Sequence, residues 1–165
     1  MTRQVTAAME SNPSAWMQLL VFSLDGRRYA LAIASVERVV QAVELTPLPG
    51  APAIVAGAID VEGRILPVLC LRRRLRQPPR EIVASDQLLI ARIRQRRVAL
   101  LIDGAQGVIE CEPSAVADPA AIVPGLEQFQ GVLQLPDGLV LIHDLEKFLS
   151  ADEALALDCV MDPVE

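Results

Sequence analysis

Aromatic residues are scarce in this sequence: one Trp, one Tyr and three Phe make up 3% of its 165 residues. That scarcity argues against base-stacking or carbohydrate platforms, which need several exposed rings. Histidine is scarcer still, with His143 alone, and the three cysteines (Cys70, Cys111, Cys159) lie far apart with no C-x-x-C spacing. One histidine and scattered thiols do not make a zinc set, so no metal is expected and the cysteines read as buried or incidental thiols. Uninterrupted apolar runs of the ~18 residues that span a membrane are missing. Residues 1–17 show neither the charged start nor the apolar stretch of a signal peptide, and the expected location is cytoplasmic, without membrane insertion. Neither G-x-x-x-x-G-K-S/T nor G-x-G-x-x-G is present to cradle a phosphate, and no cofactor is expected.

What the sequence does have is aliphatic bulk. Apolar residues make up 52%, so the interior has to be built from Val, Leu, Ile and Ala. A compact chain of this length buries roughly 70% of its unfolded surface, enough for one domain or two small fused halves. The net charge of −6 is unevenly spread: ten of the fifteen basic residues lie between Arg64 and Arg97, and thirteen of the twenty-one acidic residues lie from Asp103 onward. An arginine block can be a nucleic-acid footprint. Here it interleaves with no aromatics in a chain of pI near 4.8, which favours a solvated rim or a protein-docking surface.

Periodicity predicts strands. "QLLVFSLDGRRYALAI" (18–33) is two apolar runs around Asp25-Gly26, a hairpin turn dipeptide. In "ASVERVVQAV" (34–43), Val36, Val39, Val40 and Val43 fall on one helical face, and a short helix is expected. After the proline-broken "TPLPGAP" comes a second hairpin, "VAGAIDVEGRILPVLCLRRRL" (55–75), turning at Glu62-Gly63. The pattern then restarts. Residues 27–33 match 96–102 at an offset of 69, and residues 56–75 match 130–149 at an offset of 74, with Gly57 over Gly131 and Leu71 over Leu145. Two similar all-β units of about 65 to 75 residues follow, roughly 18–80 and 81–149, linked through "RQPPREIVASD" (76–86). Sheets this small have to close or pack to hide their edges, so the expected architecture is a pair of small barrels with short helices. Residues 1–17 form an N-terminal tail, and the acidic stretch 150–165 forms a helix or tail.

Catalysis needs a reactive group held beside a tuning partner, and the inventory is poor. His143 and Asp144 adjoin, but no Ser or Cys nucleophile is recognisable by motif, and an enzyme built on His143, Asp144 and Cys70 remains a rival reading. A lone polar residue on a buried strand is more often a hydrogen-bonded spacer. Asp60 and Glu62 flank Val61 and share a strand face, more often the wet side of a turn than a carboxylate pair.

The segments "LVFSLDGRRYALAIASVERVV", "LTPLPGAP", "VAGAIDVEGRILPVLCLRRRL", "RVALLIDGAQGVIE" and "FQGVLQLPDGLVLIHDLEKFL", in that order, resemble the CheW-like domain family. The resemblance covers 18–149, and "SADEALALD" (150–158) is similar to the closing helix of many members. It implies two five-stranded SH3-like barrels packed through an apolar interface, and a non-catalytic adaptor. The implied partners are the cytoplasmic tip of a methyl-accepting chemoreceptor and the regulatory domain of a CheA-type histidine kinase. Where the family's hairpin commonly reads G-x-x-N-x-R-G and then P-x-x-D-L-R, this chain has Gly57, Asp60, Glu62, Gly63, Pro67, Cys70, Leu71 and Arg72. Glycines, proline and leucine are kept and the polar signature is altered at Asp60, Glu62 and Cys70, which implies a divergent or accessory chemosensory pathway. The family's usual acid before the "TP" segment is here Arg38 and its usual arginine is Glu62, a reversed pair expected to bridge. Candidate partner-binding positions are Val36, Arg38, Val39, Gly57, Asp60, Glu62, Gly63 and Gly104. The alternative is a small-barrel nucleic-acid binder using Arg72 to Arg80.

Overall fold

Alternating burial of continuous aliphatic runs shapes the computed structural model, which describes residues 16–78, 80–93, 95–118 and 129–161. Most of the N-terminal tail, the last four residues of the C-terminal stretch, Pro79 of the linker and the connector 119–128 lie outside the described residues. Eleven strands are seen among those described: β1 (Met17–Leu24), β2 (Arg27–Ala32), β3 (Val36–Gln41), β4 (Val55–Val61), β5 (Arg64–Cys70), β6 (Gln87–Ile93), β7 (Arg96–Ile102), β8 (Gly104–Cys111), β9 (Val116–Ala117), β10 (Phe129–Leu135) and β11 (Gly138–His143). A four-residue helix, Leu71–Arg74, follows β5, and the C-terminal stretch forms the helix Ala151–Met161.

The two hairpins read from the sequence in each unit are present, as is the repeat. The sheets, however, do not follow the two contiguous halves. One sheet runs β8-β1-β2-β11-β10-β9 and the other β3-β6-β7-β5-β4. Each is the first hairpin of one repeat unit joined to the third strand and second hairpin of the other, a reciprocal exchange. In both sheets the central junction is parallel: β2 meets β11 and β5 meets β7, and every other pairing is antiparallel. The expected five-and-five strand count becomes six and five because Val116 and Ala117 pair with Leu133 and Val132. In the smaller sheet the matching place is held by a single bridge, Thr46 to Ala58.

The exchange explains the unbroken apolar runs, since both faces of the central strands are buried. Leu19 and Val21 enter a core inside the six-stranded sheet, while Leu20, Phe22 and Leu24 enter a second core shared between sheets. Leu88 and Ile90 line a third core inside the five-stranded sheet, and Leu89, Ala91 and Ile93 turn to the shared one. All the phenylalanines and the one tyrosine join that shared layer with His143 as a row of rings: Phe22, Tyr29, Phe129, His143, Phe148, with centroids 4.9–6.1 Å apart. Offset rings at such separations attract one another beyond their buried area. The few aromatics are concentrated where two sheets have to be fixed together.

The expected helix over 34–43 is instead a 3-10 turn, Ile33–Ser35, followed by strand β3. The reason is a register shift between Val36 and Arg38 opposite β6. An extra residue in a bulge lets side chains three apart face the same way, so Val36 and Val39 both pack on the shared core while Val40 packs on the other. The spacing that mimicked a helix is a bulged strand of β-branched residues.

Candidate functional site

The candidate positions gather mainly on the five-stranded sheet. Its edges, β3 and β4, curl toward each other, and Arg38 Nη2 on β3 lies 3.2 Å from Glu62 Oε1 at the β4–β5 turn. The reversed pair forms, on exposed side chains. Val36 and Val39 are half-buried beneath it. Asp60 and Glu62 do not share a strand face: Glu62 has left the strand with φ 54°. Asp60 Oδ1 instead accepts a 2.8 Å hydrogen bond from the Gly63 amide and ties the turn. Gly57 lets the chain cross over β4, because a Cβ there would stand 2.8 Å from the Thr46 carbonyl oxygen. Gly104 is placed apart, at the start of β8 in the other sheet, where its carbonyl accepts from the Ser23 hydroxyl at 3.3 Å. Seven of the eight positions therefore share one sheet, and Gly104 does not join them.

The arginine block proves to be largely committed to the protein itself. Arg72 is buried and ion-paired to Asp103 at 2.9 Å and Asp25 at 3.3 Å. Arg80 reaches Asp86 and Asp103, each at 2.7 Å, and the buried Asp86 carboxylate also accepts from the Val83 amide at 2.9 Å. Burial alone would raise the Asp103 carboxyl, but the Asp25 amide and the Arg72 and Arg80 guanidiniums outweigh it and hold Asp103 below its ordinary range. The hydrogen bonds that Arg80 donates to Asp86, with Asp103 adding, keep Arg80 more firmly protonated than usual. Arg74 pairs with Glu153 of the C-terminal helix and lies over the Phe148 ring, and Arg73 donates to the Ala53 carbonyl. Sequence reasoning missed Asp25, Asp86 and Asp103. Their signal was indirect: a basic block without aromatics, in a chain rich in acids, needs carboxylates from elsewhere in the fold. A nucleic-acid groove needs its cations facing phosphate, and here Arg72 and Arg80 face inward or along an acidic network.

The enzyme rival fares no better. Neither His143 nitrogen has a hydrogen-bond partner among the described residues, so it is not the hydrogen-bonded spacer that the sequence predicts. Burial, with Arg74 nearby, pushes it down to about 4, so it is neutral near pH 7. Asp144 accepts from the Glu146 amide at 3.1 Å, capping a 3-10 turn. No three-residue His, Cys, Asp or Glu cluster suited to a metal occurs among the described residues. None of their helices is long and apolar enough to cross a membrane.

Against known families, the model of the CheW-like domain matches residues 18–153. The chain belongs to the CheW-like domain family. A probable chemotaxis protein CheW of Rhizobium etli is 26% identical over 84% of this chain and 91% of its own length. The chemotaxis protein CheW of Treponema pallidum is 25% identical over 82% of this chain and 84% of its own. Among solved structures, the scaffolding protein TtCheW from Thermoanaerobacter tengcongensis is similar with a TM-score of 0.75 and 25% identity, over 83% of this chain and 90% of that one. CheW family proteins are non-catalytic adaptors, and this chain is a CheW-like scaffold.

Proposed function

We propose that this scaffold works in the cytoplasm, coupling the cytoplasmic tips of methyl-accepting chemoreceptors to the regulatory domain of a CheA-type histidine kinase, in a divergent or accessory chemosensory pathway. The observation that carries this reading is the exposed Arg38–Glu62 pair, whose polarity is the reverse of the family pattern. An inverted charge pattern repels partners matched to the original one while fixing the choice of its own. The receptor tip is read at this surface, with Val36, Val39 and the Gly57 to Gly63 turn around it. The kinase domain, itself CheW-like, docks at a barrel end, where apolar residues such as Leu139 stand exposed.

Calorimetric titration against each CheA-type regulatory domain of the same genome tests the reading. At least one is expected to bind with a Kd in the rough range of micromolar, as small transient interfaces do. Binding to none of them overturns it. On the receptor side, Glu62→Arg is expected to weaken binding to the cognate tip, and adding Arg38→Glu to shift preference toward conventional receptors. Unchanged preference in both variants removes the pair from the account.

A further inference from the structure

The repeat permits a residue-by-residue comparison of the two second hairpins at their tips. In the six-stranded sheet Arg28 stands opposite Val140 on β11, and its guanidinium holds Asp137 at the tip through contacts of 3.0 and 3.3 Å. In the five-stranded sheet β5 and β7 share the same register, with Val68 opposite Ala99, so Arg97 stands to the β4–β5 tip as Arg28 stands to the β10–β11 tip. The residue matching Asp137, however, is Gly63, and the one matching Gly138 is Arg64. At these two positions a carboxylate is gone and a guanidinium has arrived, while Glu62, which matches Pro136, faces Arg38.

The displaced charges show in the geometry. Arg97 turns to Glu37 on β3 at 3.0 Å, and Arg92 shares that same carboxylate at 3.3 Å. Arg96 reaches Asp158 of the C-terminal helix at 2.6 Å. Among the described residues Arg64 has no carboxylate partner. Together Arg64, Ile65, Leu66, Arg92, Arg96 and Arg97 line a groove of about 420 Å³ with Asp158 at its edge. Among the described residues the groove is lined by the guanidiniums of Arg64, Arg92, Arg96 and Arg97 and the carboxylate of Asp158, with Glu37 pairing Arg92 and Arg97 beside it, and Ile65 is 56% exposed.

We propose that this groove binds an acidic segment of a protein partner, seating an Asp or Glu side chain at the vacancy that Asp137 fills in the twin hairpin, with a neighbouring aliphatic residue on Ile65. A carboxylate fits better than a phosphate because the equivalent arginine already holds a carboxylate through two parallel contacts, and because an aliphatic neighbour has no counterpart in a phosphate chain. The surface stands independently of the receptor and kinase assignments.

Fluorescence polarisation of the full chain with a dye-labelled Glu-Leu-Glu-Leu-Glu peptide tests it. The peptide is expected to bind, to weaken as salt is raised, and to weaken at least about fivefold in Arg64→Glu and in Arg64→Glu/Arg92→Glu. Arg64 is exposed and has no carboxylate partner among the described residues, so its reversal is expected to leave the fold intact, and Arg64→Gln provides a milder second variant. Arg76→Glu, an equal charge change in the linker, is expected to leave binding unchanged. No binding by the wild-type chain, or equal losses in Arg64→Glu and Arg76→Glu, overturns the proposal. So does displacement by inorganic triphosphate or a duplex oligonucleotide at lower concentration than by unlabelled peptide, which would make the groove a phosphate site.

Discussion

At matching points of the two second hairpins stand Gly57 and Gly131 at the bulges, Leu69 and His143 in the last turns of the strands, and Arg72 and Glu146 just beyond them. The glycines are kept in both because each admits a crossing chain: Thr46 over Gly57, and β9 over Gly131, where a Cβ would stand 2.1 Å from Val116 Cγ1. The polar positions are not kept. Backbone approach and aliphatic alternation are requirements of the plan and so occur twice. Charged and titratable groups mostly change between the units, as Arg72 to Glu146 and Leu69 to His143 do, which is what individual function demands of a duplicated scaffold.

The largest way to break this comparison lies at Arg72, which the second unit replaces by the exposed Glu146. Removing the buried guanidinium takes Asp25's partner away and leaves Asp103 with Arg80 alone, so Arg72→Met is expected to cost about 3 kcal/mol in urea denaturation. A cost below about 1 kcal/mol would mean that the network to Asp25 and Asp103 does not hold the sheets together. Next, Gly57→Val and Gly131→Val are each expected to cost about 2 to 3 kcal/mol by the same measurement, since the crossing backbone or side chain has to shift. If only one of them destabilises, the two bulges are not equivalent.

His143 sharpens the comparison through pH. Its folded value is pushed down to about 4 from an ordinary 6.5, so in acid the unfolded chain binds the proton first. The stability it permits is complete above 6.5 and falls as pH drops toward 4, by about 2 kcal/mol between pH ~7 and pH ~5. His143→Leu, which copies Leu69 of the twin hairpin, is expected to remove that slope. Denaturation midpoints of wild type and variant at both pH values measure it, and an unchanged slope would assign the acid sensitivity to other groups. The smallest effect is at Arg38 and Glu62. A double-mutant cycle should give a coupling of about 0.2 to 1 kcal/mol that fades with salt, as for other exposed pairs. Zero coupling at low salt would mean that the contact contributes nothing to closing the sheet edges.

Much of this molecule was legible beforehand for identifiable reasons. Hairpins announce themselves through turn dipeptides such as Asp25-Gly26, and the repeat survives in Gly57 and Gly131 because no other residue fits where chains cross. The Arg38–Glu62 pair was legible only as a paired departure from a family pattern. What stayed hidden was set by long-range partners. A bulge against β6 turned Val36 and Val39 to one side and counterfeited a helical period. Exchange of hairpins between units leaves no trace in local pattern, since a strand reads the same whichever sheet receives it. Burial of Arg72 depends on Asp25 and Asp103, which only the folded chain brings together.

The reciprocal exchange also governs when the molecule becomes stable during its own synthesis. β1 has to wait for β8, and β2 for β11, before either has a neighbour on its open side. A nascent chain that has emerged only through β5 holds two hairpins that cannot complete a sheet with each other. Such late, non-local pairing slows folding and leaves aliphatic strand edges bare in the interval. Neither unit becomes an independent domain on the ribosome, and until the last hairpin is released the emerging protein is a client for whatever shields unpaired edges in the cell.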